Sequence, residues 1–112
     1  MADDRLPAHL EVAAILRLAE SRGGFATVIE KGERDSGTIL LVTMFRGLDA
    51  RLYERMPQLG GSRAFVLAKS QAAENQQEFS DYLARRKRQD GDIWILEVDI
   101  ADAQRFVASL PG

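Results

Sequence analysis

Four groups of side chains in this chain are of the types that do chemistry. The basic set comprises Arg85, Arg86, Lys87 and Arg88 in one run, with Arg46, Arg51 and Arg55 flanking Tyr53 earlier in the chain. Arginines beside an exposed aromatic ring hold a phosphate backbone and stack a base. On these grounds Arg51, Tyr53, Arg55, Arg85 and Arg88 are the candidate ligand-binding residues. The spacing works against a single patch, because four consecutive helical residues point in four directions. A solvated face bridged to some of the 17 acidic residues is the competing reading. Arg86 continues the stripe of Phe79, Tyr82 and Leu83 and is expected to lay its stem along the core edge.

The acidic set is Asp90, Asp92, Glu97 and Asp99. Asp-x-Asp spacing suits magnesium or calcium, but a calcium loop needs ligands at further alternate positions and a bidentate glutamate, and here Ile93 to Leu96 interrupts the series. Turn formation by Asp90-Gly91-Asp92 and a helix cap at Asp99 or Asp102 explain these residues without a metal. His9 is the sole histidine and falls in the first turn of a helix, where a solvated role is expected rather than catalysis. Gly60-Gly61-Ser62-Arg63 has glycines and a hydroxyl but lacks the Gly-Lys-Ser/Thr end of a phosphate loop and precedes a strand. There is no Gly-x-Ser-x-Gly elbow to make a serine nucleophile. The sequence thus names no catalytic, cofactor-binding or metal-ligating residue and leans away from an enzyme, which comes third as a reading because its acid–base chemistry would rest on carboxylates and arginines alone.

The elements that must position these groups follow from hydrophobic periodicity. Residues 1–6 are polar and expected to fray. Pro7 opens a helix from Ala8 to Arg22 with an apolar stripe at Val12, Ile15, Leu16 and Ala19, stopped by Gly23-Gly24. Phe25 to Lys31 reads as a strand, Gly32 to Gly37 as a hairpin loop and Thr38 to Arg46 as a second strand that is apolar on both faces. A third strand spans Ala50 to Met56, Gln58 to Arg63 is a mobile connection, and Ala64 to Ala68 is a short fourth strand. Ser70 is the expected N-cap of a helix from Gln71 to about Arg88. The last strand holds Ile93 and Ile95 on one face and Trp94, Leu96 and Val98 on the other. A short helix with Ala103, Phe106, Val107 and Leu110 at helical spacing closes the chain.

The expected fold is a single α+β domain over residues 1–112, with three helices and a mixed, mostly antiparallel five-stranded sheet in the order α-β-β-β-β-α-β-α. Strands one to three should form a meander, and strand four, helix two and strand five a parallel crossover. The final strand is expected inside the sheet, with cover on both sides from helices or from a second copy.

A formal net charge of −2 excludes a surface that is basic throughout. The absence of cysteine excludes disulfides and thiolate chemistry, and the N-terminal stretch lacks the apolar core of a secretory signal. The longest apolar run, Ile39 to Val42, is too short to span a bilayer, so a cytoplasmic protein is expected.

Gly23-Gly24-Phe25-Ala26 after an opening helix, the strand Ile39 to Phe45, Leu52-Tyr53, and Asp90-Gly-Asp-Ile-Trp-Ile-Leu-Glu-Val-Asp together resemble a family of small bacterial proteins known only as domain-of-unknown-function family 1491. The resemblance implies a bacterial, stand-alone domain and brings no activity, cofactor or catalytic residue. Two functional readings remain: a non-enzymatic module that self-associates, as a homodimer, or docks on another protein through a sheet face or edge; and a binder of RNA or a phosphorylated ligand through the basic set.

Overall fold

The computed structural model describes residues 6–57, 59–60 and 63–111. Helix α1 (Ala8–Ser21) is followed by strands β1 (Phe25–Glu30), β2 (Ile39–Phe45), β3 (Leu48–Pro57) and β4 (Arg63–Ser70), then helix α2 (Gln76–Gln89), strand β5 (Trp94–Asp99) and helix α3 (Ala103–Ala108). The element order is the expected one. Residues 1–5 and, of the connection read at 58–63, residues 58, 61 and 62 lie outside the described residues.

The strands form one sheet in the spatial order β1-β5-β2-β3-β4. β5 runs parallel to β2 and antiparallel to β1, while β2, β3 and β4 form an antiparallel meander. Two expectations are corrected here. The segment 32–37 is not a hairpin loop, because β5 inserts between β1 and β2, and the meander comprises strands two to four rather than one to three. The physical cause lies in the apolar content of β5: Trp94, Ile95, Leu96 and Val98 are all at most 4% exposed, and only an interior position covers both of its faces. β1 has no such demand and takes the edge.

Alternation along the strands sorts the core into two layers. Ile39, Leu41, Tyr53, Trp94, Leu96 and Val98 pack with Val12, Ile15 and Ala19 of α1 and with Phe106 and Val107 of α3. Leu40, Val42, Leu52, Ile93 and Ile95 pack on Phe79 of α2. The chain therefore covers both faces of its own sheet, and the two-sided apolarity of β2 and β5 needs no second copy.

The helix ends differ in part from expectation. Pro7 occupies the N-cap position of α1, and Gly23 at φ 84° lies just beyond its C-cap, Arg22. The N–H groups of Ala8 and His9 donate to the Asp35 and Arg34 carbonyls at 2.9 and 2.8 Å, so the 32–37 segment plugs the helix start. Ser70 does not cap α2. It ends β4, where it pairs with Arg51, and Asn75 caps the helix by accepting from the Glu78 N–H at 3.2 Å. The strand competed with the cap for Ser70, and a ladder partner was available.

Glycine is obligatory where this segment crosses Trp94. A Cβ on Gly32 or Gly37 would lie 2.2 or 2.3 Å from the Asp92 carbonyl oxygen, and within 3 Å of the indole. The indole N–H donates to the Glu33 carbonyl at 2.7 Å, fixing the segment over the start of β5.

Candidate functional site

The sheet divides the basic set. Arg51, Tyr53 and Arg55 occupy alternate positions of β3, and the register opposes Tyr53 to Leu41 and Arg51 to Thr43, on the face that α1 and α3 cover. Arg85 and Arg88 belong to α2, which packs on the opposite face. The five candidates therefore do not converge. Tyr53 is only 6% exposed and is part of the core, so its ring offers no surface for a base. Its alternation with arginines looked like that of a half-exposed strand, but α1 and α3 bury that face.

Most of the other cations hold the fold together. Arg55 forms an ion pair with Glu11 of α1, with side chains 9% and 17% exposed, and its guanidinium lies 4.6 Å from the centre of the Phe65 ring. Arg86 donates to Glu54 of β3 at 2.7 Å, a partner the stripe reading did not name, and this hydrogen bond raises its pKa above the ordinary value. Lys87 donates to three carbonyls at once, those of Lys31, Gly91 and Ile93, at 2.8, 2.8 and 2.9 Å. It ties the C-terminus of α2 to the end of β1 and the start of β5. Of the run 85–88, Arg85 and Arg88 are exposed, Arg85 at 5.7 Å from the Tyr82 ring centre.

The acidic residues also serve the backbone. Asp90 accepts from the Asp92 N–H at 3.0 Å, the expected turn. Asp99 does not cap α3; its carboxylate accepts from the N–H groups of Arg46 and Gly47 at 2.7 and 2.9 Å and so locks the β2–β3 turn to β5. Asp102 stands at the N-cap position of α3, with φ 56° and no side-chain cap bond. His9 Nδ1 donates to the Arg34 carbonyl at 3.1 Å, fastening the plug segment to α1. Sequence reasoning missed Glu33, whose carboxylate accepts from the Ser36 N–H and hydroxyl and the Asp35 N–H. These bonds lower its pKa. The Glu-x-Asp-Ser spacing was the available signal.

What the fold leaves open is one edge. β1 pairs only with β5, and its residues Phe25, Val28 and Ile29 are 79%, 36% and 49% exposed. The α2 layer includes no β1 residue, so the side of Phe25 turned toward that layer stays uncovered. From Phe25 to Ile29 the strand carries no charge. The opposite edge, β4, differs: it bears Arg63 and Lys69, the latter bonded to Glu78 at 2.6 Å, and its register shifts at Leu52/Tyr53. Charge and irregularity are the usual means of blunting an edge, and β1 has only one irregularity, between Val28 and Glu30.

With an open-edged α+β sandwich in view, the relatives can be placed. The model of the family described as "Protein of unknown function (DUF1491)" matches residues 6–108, and the chain belongs to that family. A crystal structure of a DUF1491 family protein from Caulobacter crescentus CB15 is similar, with a TM-score of 0.78 and 30% identity over 96% of this chain and 98% of that one. An NMR structure of a DUF1491 family protein from the same organism gives 0.76 and 32%, over 95% and 94%. A solution structure of a protein from A. tumefaciens shares the fold, with a TM-score of 0.72 at 24% identity over 96% and 97%. No functionally curated protein matches the chain. No helix among the described residues is long and apolar enough to cross a membrane.

Proposed function

We propose that this protein is a non-enzymatic interaction module that self-associates through the outer edge of β1, joining two five-stranded sheets into one. The carrying observation is the uncharged edge strand Phe25–Ile29 with Phe25 79% exposed. An unpaired edge presents a row of N–H and C=O groups that a second strand satisfies.

The strand is also self-complementary. A two-fold axis normal to the sheet and passing beside Thr27 sets Thr27 against its own copy and Ala26 against Val28, residues that share a face, while Phe25 lies opposite the irregularity that follows Val28. The pairs formed are Thr–Thr and aliphatic–aliphatic, and a Thr–Thr pair is favourable across strands. No like charges meet within the ladder. The likeness to proteins from Caulobacter crescentus and A. tumefaciens supports a bacterial setting. A chain without cysteine fits the cytoplasm.

Light scattering across a concentration series tests this reading. The wild-type chain should approach twice its monomer mass, and Thr27→Lys, which opposes two ammonium groups at the two-fold, should stay monomeric with an unchanged melting temperature. A wild-type chain that remains monomeric at high micromolar concentration refutes it.

A further inference from the structure

A second feature, independent of the β1 edge, lies at the carboxyl ends of β2 and β5, the parallel pair of the sheet. A cavity of about 240 Å³ opens there between the sheet and the start of α3, and its polar lining is Thr43, Asp49, Arg51, Asp102 and Gln104. In open sheets with parallel strands, the crevice beyond their carboxyl ends is where ligands bind.

Thr43 is the informative residue. It is 1% exposed, it lies on the same face as Leu41 and opposite Arg51, and its hydroxyl has no hydrogen-bond partner among the described residues. A buried hydroxyl left unsatisfied is costly, and native folds seldom retain one without a reason. Arg51 is half-buried beside it. No ion pair or side-chain hydrogen bond among the described residues engages Arg51, Asp49 or Asp102. The cavity of about 380 Å³ at the start of α1 differs on this point, since its Glu11 and Arg55 are already paired. Backbone conformation marks the same place: Arg46, Asp49 and Asp102, at φ 54°, 58° and 56°, are the three non-glycine residues with positive φ among the described residues. Two of them line this cavity and the third sits in the adjoining turn. Such conformations are retained where the surroundings impose them, often at ligand sites.

We infer that this cavity binds a small zwitterion of the free amino-acid class, its carboxylate held by Thr43 and Arg51 and its ammonium by Asp49 and Asp102. The assignment follows from the arrangement. Thr43 and Arg51 are direct cross-strand neighbours and both line the cavity, which sets a hydroxyl donor and a planar guanidinium fork side by side, a pair that suits a carboxylate. The two aspartates supply acceptors for an ammonium group toward the mouth, where both residues are exposed. The third carboxylate nearby, Asp99, is committed to the Arg46 and Gly47 N–H groups, leaving two, too few for the all-protein oxygen cage of a calcium ion. The volume is below that of pockets that enclose drug-sized ligands, which run from about 300 to 1,000 Å³.

The test is an NMR titration of the full chain with glycine, L-alanine, L-serine, L-glutamate and L-lysine in turn, against propionate and ethylamine as half-ligands. At least one amino acid should give saturable shifts at residues 43–51 and 100–104, with both half-ligands at least tenfold weaker. Thr43→Val should weaken that binding about tenfold, the worth of one hydrogen bond to a charged group, without lowering the melting temperature of the free protein. Arg51→Gln should weaken it by more. The inference is overturned if no amino acid saturates at millimolar concentration, if propionate or ethylamine binds as well as the amino acid, or if Thr43→Val leaves affinity unchanged.

Discussion

Replacing Lys87 by methionine separates a structural cation from a ligand-binding one. Methionine keeps an unbranched stem and removes the ammonium that bonds the carbonyls of Lys31, Gly91 and Ile93 at 2.8–2.9 Å. Lys31 and Gly91 are exposed, so their carbonyls regain water when the ammonium is lost. Ile93 is 1% exposed, and its carbonyl loses a charged donor with less compensation. An unsatisfied buried acceptor costs about 1–3 kcal/mol, and losing a cation from the last turn of a helix removes about 0.3–1 kcal/mol more. The sum is about 1.3–4 kcal/mol, a fall in melting temperature of about 5–16 °C for a domain of this size. Thermal unfolding followed by circular dichroism measures it, with Arg88→Met as the control. Arg88 is exposed and stands in the same last turn, so it should lose only the helix-end charge term, about 0.3–1 kcal/mol. Equal melting temperatures for the two variants would refute the idea that Lys87 joins α2 to β1 and β5.

Three further outcomes follow from the same contacts. Gly37→Ala forces a Cβ to within 2.3 Å of the Asp92 carbonyl oxygen and 2.9 Å of Trp94 Cδ1, so it should destabilise by about 3 kcal/mol or more and alter the Trp94 emission spectrum. Arg55→Met leaves the Glu11 carboxylate without its partner at a site where it is 17% exposed, and should cost about 3–5 kcal/mol; the double variant Glu11→Leu/Arg55→Met should recover much of this, as denaturant unfolding would show. Glu33 has its pKa lowered by bonds from Ser36 and Asp35, so its contribution to stability is present above the unfolded glutamate pKa and is lost as pH falls through the folded value. Melting temperatures between neutral and strongly acidic pH should therefore fall less in Glu33→Gln than in the wild type.

The basic set illustrates how far residue types mislead when faces are unknown. Arg51 and Arg55 alternate on β3 and Arg85 to Arg88 follow one another on α2, patterns that say nothing about which layer each element joins. The sheet set them on opposite sides, and carbonyls and carboxylates distant in sequence claimed Arg55, Arg86 and Lys87. Thr43 shows the converse. In the apolar strand Ile39–Phe45 it is an unremarkable β-branched residue, and it becomes noteworthy once its hydroxyl is seen to be buried without a partner beside Arg51.

The family likeness, the element order, the paired faces of β2 and β5, the glycine stop after α1 and the Asp90 turn were readable in the chain alone. Each depends on neighbours within a few residues, where a period of 2 or 3.6 and the conformational limits of glycine and proline determine the outcome. Tertiary structure decided that β5 enters between β1 and β2, that Ser70 pairs in a strand while Asn75 caps α2, and that β1 is left as the open edge. Periodicity tells a strand which way its side chains point but not which strand lies beside it, and that choice is made by burying the most apolar ribbon, Trp94–Val98, between two strands far from it in sequence.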